Sequence, residues 1–163
     1  MIRVKNKITF DKYSYLLQDL ITNNNFDLHK IIPIEPHPLQ SVRECKLLKW
    51  GSTGVVKDTT IIKKNTICFE TLWGDVTKIV LKLSMMFPDI TISYSYVSGD
   101  IGTSAGVLQI KNSEIIYGHI PRSLSKTCYE LSFKLWGEDC KKDYVYDDLK
   151  NIYILKENYN GTK

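Results

Sequence analysis

The sequence predicts an α+β domain: an antiparallel sheet built as a split β-α-β sandwich, with its helices packed on one face. Three observations carry this. Period-two runs of apolar residues mark strands near 3–9, 66–72 and 90–96. Period-3.6 stripes mark helices after residues 11, 74 and 125. The two kinds of segment alternate as strand, helix, strand, strand, helix, strand, with no repeat and no low-complexity linker between them.

The first strand spans 3–9, and Asp11 stands where a helix N-cap belongs. Beyond it Tyr13, Leu16, Leu17, Leu20 and Ile21 fall on one helical face, and Asn23, Asn24 and Asn25 end the run. Residues 26–34 read as extended. Pro33, Pro36 and Pro38 then bar a strand or helix interior, and a short helix is expected over 38–47 with Leu39, Val42 and Cys45 inward. Residues 50–57 read as a glycine-punctuated loop.

Strands are expected at 59–63 and 66–72, turning at Lys64 and Asn65. Trp73 and Gly74 hand over to the clearest helix, whose buried stripe is Val76, Ile79, Val80, Leu83 and Met86, with Asp75 at its start and Pro88 stopping it. Ile90, Ile92, Tyr94 and Tyr96 alternate with polar residues as a strand. A glycine-bearing loop over 98–104 leads to a hairpin, 105–110 and 114–120, turning at Asn112 and Ser113. The last helix begins near Ser125, shows Cys128, Leu131 and Leu135 on one face, broadened by Tyr129, Phe133 and Trp136, and stops at Gly137 in a left-handed turn. Residues 143–155 form a strand or a helix, and 157–163 fray. The chain thus reads as one ferredoxin-like domain, 1–163, with 138–163 as a C-terminal extension.

Composition bounds the function. The 163 residues are 43% hydrophobic and 25% charged, enough for one core and few for two. The net charge of +4, from 22 basic and 18 acidic residues, is mild and admits nucleic acid without requiring it. Arg3, Lys5 and Lys7 interrupt the N-terminal apolar residues, so no secretory signal is read there, and no window is apolar enough to span a membrane. A cytoplasmic location is expected, with Cys45, Cys68, Cys128 and Cys140 as thiols. His29 in a strand, His37 between prolines and His119 at a strand end lack metal-site spacing, so no metal or cofactor is expected. Gly102 to Gly106 has the length of a nucleophile elbow with the wrong flanks, and no catalytic constellation emerges.

The ordered set Phe26-Asp27-Leu28-His29-Lys30-Ile31-Ile32-Pro33 with Pro36, Trp50-Gly51, Phe69-Glu70-Thr71-Leu72-Trp73, Phe87-Pro88-Asp89-Ile90, the tyrosine strand, Gly106 and Leu135-Trp136-Gly137 resembles the YubB-type ferredoxin-like domain. The resemblance runs from about Asn6 to Gly137. It departs where Trp50-Gly51 usually leads to a second tryptophan. It implies the fold and a setting on plasmids, prophages and mobile elements, with no established chemistry. Trp50, Trp73, Gly74, Pro88, Trp136 and Gly137 are then structural landmarks.

Two functional expectations follow. The first is a non-enzymatic interaction protein of a phage or mobile element, such as a counter-defence inhibitor that occludes a host nuclease complex. Its contact surface would be the acidic, tyrosine-bearing segment with Glu138, Asp139, Asp143, Tyr144, Tyr146, Asp147 and Asp148. The alternative is a nucleic-acid or nucleotide-binding module using the sheet face or Lys78, Lys82, Lys63 and Lys64. Tyr94 and Tyr96 are read as core, because Ile90 and Ile92 share their face.

Overall fold

The computed structural model describes residues 2–12 and 16–159. In chain order its elements are β1 (Arg3–Phe10), α1 (Leu16–Asp19), β2 (Ile21–Thr22), β3 (Asn25–Phe26), α2 (Val42–Trp50), β4 (Val56–Ile62), β5 (Thr66–Leu72), α3 (Thr77–Met86), β6 (Ile92–Ser98), β7 (Ala105–Lys111), β8 (Glu114–His119), α4 (Lys126–Trp136), β9 (Tyr144–Asp147) and β10 (Ile152–Leu155). The main sheet has the order β4-β5-β1-β6-β7-β8, with every neighbour antiparallel. Within it β1, β4, β5 and β6 are the four strands of a split β-α-β unit, crossed over by α2 and α3. The hairpin of β7 and β8 continues the sheet beyond β6.

The N-terminal excursion departs from expectation. Helix α1 stops at Asp19, and Ile21 pairs with Phe26 in a small hairpin instead of extending the helix. Asn23 and Asn24 take left-handed φ of 48° and 61°, a turn that asparagine accepts and a helix interior does not. Tyr13, assigned to the helical stripe, lies outside the described residues. Past Phe26 the chain is not extended. Leu28–Lys30 form a single 3-10 turn because the Asp27 carboxylate accepts the His29 N–H at 3.0 Å, which takes His29 out of any strand.

Helix α2 begins later than the prolines imply and ends later too. Ser41 accepts the Glu44 N–H while the Glu44 carboxylate takes the Ser41 N–H at 2.7 Å, a capping box that outcompetes Pro38 as the start signal. The shift turns the buried stripe to Cys45 and Trp50, leaving Leu39 89% and Val42 57% exposed. Trp50 is therefore a helix residue, and Gly51 at φ 81° is its left-handed cap. Ser41→Ala is expected to lower stability by about 1 kcal/mol, read as a lower urea midpoint at unchanged slope.

Strand β4 starts at Val56, three residues before the expected 59, and the turn to β5 is made by Lys63 and Lys64, both at positive φ. Helix α3 buries Val76, Ile79, Val80 and Leu83 as its spacing predicts, with Met86 exposed at its frayed end before Pro88. Asp75 sits just outside the helix, its carboxylate accepting the Thr77 N–H at 2.9 Å. One core joins α3, Trp50 and Phe26 to Val4, Ile8 and Phe10 of β1, Ile67 and Phe69 of β5, Ile92, Tyr94 and Tyr96 of β6, and Leu108 and Ile110 of β7.

Helices α2 and α3 share this face, as the sandwich requires. Helix α4 does not: it lies on the other face, where Cys128, Leu131, Leu135 and Trp136 pack on Val97 and Ala105. The sheet has apolar residues on both sides there, which gives a second amphipathic helix something to bury. Gly137 ends α4 at φ 112° and ψ 152°, an extended positive-φ state in place of the expected left-handed turn. The segment after it resolves into the hairpin of β9 and β10, folded on α4.

Candidate functional site

The side of the sheet away from the main core has a composition of its own. Arg3, Lys5, Lys7 and Thr9 alternate with Val4, Asn6, Ile8 and Phe10, so the strand that centres the core on one face sends its cations to the other. The register sets Lys7 between Cys68 and Ser95, Lys5 between Glu70 and Val97, and Thr9 between Thr66 and Ser93. Beyond these, Ser93 faces Gln109 and Gln109 faces Tyr117. Thr9 and Thr66 hydroxyls meet at 3.0 Å.

Helix α4 roofs only part of this surface. Between it and β1 runs a groove of about 220 Å³, walled by Leu131 and Leu135 and edged by Lys7, Thr9, Ser93, Ser95 and Lys134. The one carboxylate in the cross-strand rows just described, Glu70, is nearly buried and receives Arg3 Nε at 2.8 Å, which neutralises it. Arg3 and Lys5 lie over the Trp136 ring at 5.4 and 5.1 Å, and the Trp136 indole N–H donates to the Ser98 carbonyl at 2.8 Å. Lys5, Lys7, Lys57 on β4 and Lys134 on α4 thus border a hydroxyl-lined surface whose only acid in those rows is already paired. Burial raises the Cys68 thiol above its ordinary range against the pull of Lys7 and Lys5, so the thiol beside these cations stays protonated at neutral pH.

This strip escaped the sequence expectations, although its signal was present. Arg3-x-Lys5-x-Lys7 is a basic row at strand period, and Lys57 and Lys134 require the fold to join it. The basic residues that were singled out do not converge. Lys63 and Lys64 form the β4–β5 turn, Lys78 donates to the Leu48 carbonyl at 2.7 Å, tying α3 to α2, and Lys82 stands on the outer side of α3.

The acidic segment is divided in the same way. Tyr144 packs on Phe133 and Tyr129 at 5.5 Å, and Tyr146 on Tyr153 at 5.0 Å, so the rings serve a satellite aromatic core against α4. Asp147 caps the β9–β10 turn by accepting the Leu149 and Lys150 N–H groups, and Asp139 pairs with Lys142. Glu138, Asp143 and Asp148 are exposed. Tyr94 and Tyr96 are buried, as read, while Tyr117 stands on the opposite face, 55% exposed.

Among the structural landmarks, Trp50 is buried with its indole N–H on the Ile32 carbonyl at 2.8 Å, and His29 meets its ring edge-on. Trp73 is 48% exposed at φ 77°, under Arg43. The four cysteines are free thiols. Among the described residues, no three His, Cys, Asp or Glu side chains gather as a metal site, and no helix is long and apolar enough to cross a membrane.

An antiparallel split β-α-β sheet of this strand order defines a ferredoxin-like α+β domain. Residues 55–140, just over half of the chain, match the family described as the ferredoxin-like domain in Api92-like protein, and the chain belongs to that family. No curated protein and no solved structure matches the chain.

Proposed function

We propose that this domain is a non-enzymatic nucleic-acid-binding module whose second sheet face holds the phosphate backbone of a single strand. The supporting observation is the strip of Lys5, Lys7 and Lys134 around serine and threonine hydroxyls, with Glu70 neutralised by Arg3. Lysines supply charge to phosphate, hydroxyls donate to its oxygens, and exposed Tyr117 offers a ring to a base on the same face. This takes the second of the two sequence expectations in its sheet-face form, with the cations of β1 and α4 in place of Lys63, Lys64, Lys78 and Lys82. The YubB-type resemblance and its setting on mobile elements belong to the same reading. The occluding-protein reading has less to rest on, because Tyr144 and Tyr146 pack in the aromatic core on α4 and Asp147 caps a turn, which leaves Glu138, Asp139, Asp143 and Asp148 as its surface.

Anisotropy of a labelled single-stranded oligonucleotide tests it. Binding should weaken with salt at a logarithmic slope of about −2, as expected for roughly three phosphate contacts at ≈ 0.7 each. Lys7→Glu with Lys134→Glu should cut affinity by about tenfold or more at low salt and flatten that slope by about 1.4, two contacts at ≈ 0.7 each. Lys78→Glu with Lys82→Glu, on the far side of the sheet, should change little. No binding at low salt, or loss confined to the Lys78 and Lys82 variant, would rule the proposal out.

A further inference from the structure

The two edges of the sheet are treated differently by the sequence. At the β4 edge Ile61 and Ile62 are exposed, but the strand is bulged between Lys57 and Thr60, Asp58 takes φ 50°, and the Thr59 hydroxyl accepts the Phe26 N–H so that β3 leans against it. Bulges, charges and a covering segment are the usual protections of an edge strand. At the other edge β8 also carries a bulge, at Ile116, but it has one charged residue, Glu114, at its start, and among the described residues nothing lies beyond it in the sheet. All six of its residues are exposed, and Ile115, Ile116, Tyr117 and Ile120 are 50 to 68% exposed.

The hairpin register fixes which backbone groups β8 leaves open. Lys111 and Glu114 flank the two-residue turn at Asn112 and Ser113, so they form a hydrogen-bonded pair. Pairs then alternate across the bulge, and Gly118 opposite Leu108 exchanges no bonds with β7. The amide and carbonyl of Gly118 therefore point outward, and the same alternation carried one residue past β8 would turn those of Ile120 the same way.

We infer that β8 pairs antiparallel with β8 of a second copy of this chain, about a two-fold axis at Gly118, joining the two sheets into one. In that register Gly118 faces Gly118, Tyr117 faces His119, and the bulged Ile115 and Ile116 meet Ile120 of the other copy. Glu114 at one end of the segment comes beside Arg122 at the other end of its mate, twice by symmetry. Both are exposed, and neither has an ion-pair partner within the chain among the described residues. Pro121 falls where no backbone bond is exchanged, so its missing N–H is harmless. The bulged, charged β4 edge stops the assembly at two. The axis is perpendicular to the sheet, so both basic faces lie on the same side. The inference stands without the nucleic-acid reading.

Sedimentation equilibrium of the full chain tests it. A monomer–dimer equilibrium is expected, with Ile120→Lys lowering the association constant by about tenfold or more. Arg122→Glu should lower it by about fivefold, and Glu114→Arg with Arg122→Glu should restore it, since the pairs are re-formed with charges exchanged. Amide exchange at Gly118 and Ile120 should slow in the dimer. A protein that stays monomeric at millimolar concentration, that forms species larger than a dimer, or whose dimer ignores all three variants would overturn the inference.

Discussion

Gly74→Ala is expected to cost about 3 kcal/mol of folding stability, the upper range for forcing a group into packed structure. A Cβ on Gly74 would be driven onto the carbonyl oxygen of Gly51, and one on Gly51 would stand 2.6 Å from the Asp75 carbonyl oxygen. The obstructing atoms are backbone, so a side-chain rotamer cannot relieve them. The end of α2 and the passage from β5 into α3 would have to separate, and buried Trp50 packs at that joint. Gly137→Ala is the control. Its Cβ would meet nothing within 4 Å, leaving only the strain of φ 112°, about 1 kcal/mol. Urea unfolding should show the larger midpoint shift for Gly74→Ala, and equal shifts would refute the close approach.

The second large effect lies in the buried polar network behind that joint. Asn6, fully buried in β1, donates to the Thr71 hydroxyl at 2.9 Å and accepts the Tyr94 hydroxyl at 2.8 Å. Tyr94 in turn accepts the Val76 N–H at 2.9 Å, and Thr71 donates to the Gly74 carbonyl at 2.9 Å. Three strands and the start of α3 are tied through one amide. Asn6→Leu should cost about 3 kcal/mol, because it strands Tyr94 and Thr71 in a dry core. Tyr94→Phe should cost about 2 kcal/mol by leaving the Val76 N–H and the Asn6 carbonyl oxygen without their partner. A loss below about 0.5 kcal/mol for both variants would mean that the network is not closed as described.

Tyr94 also gives this core a pH signature. Burial first, then the Asp75 carboxylate, raises its phenol well above the ordinary value. The folded chain keeps that proton while the unfolded phenol releases it near pH 10. The unfolded state then binds fewer protons, so the contribution of Tyr94 to stability is constant below about pH 10 and falls as pH rises beyond it. Tyr94→Phe should make that fall shallower. Since Thr71 reaches both Asn6 and the Gly74 carbonyl, the Gly74 and Asn6 variants should also combine non-additively.

Much of the fold was legible from local pattern. β1, β5, β6 and the β7–β8 turn at Asn112 and Ser113 follow two-residue alternation and turn chemistry, and α3 and α4 follow their apolar stripes. Two errors fell where one short-range signal competed with another. Three prolines drew the start of α2 toward residue 38, whereas the reciprocal bonds of Ser41 and Glu44 placed it at Val42. Apolar spacing carried the first helix through Ile21, whereas Asn23 and Asn24 closed a hairpin there. Of the candidate site, the lysines of β1 were legible as a basic row. The neutralisation of Glu70 by Arg3, 67 residues away, and the arrival of Lys134 were not.

The α+β class, the alternation that gives β1 one apolar and one basic face, and the glycine after each tryptophan are all set by the order of residues along the chain. Only the tertiary structure decided that Gly51 and Gly74 touch, that α4 takes the opposite face from α2 and α3, and that four lysines from three elements border one surface. Side-chain periodicity and capping are properties of a few neighbouring residues. Which distant backbones approach, and which charges find each other, depends on how whole elements pack.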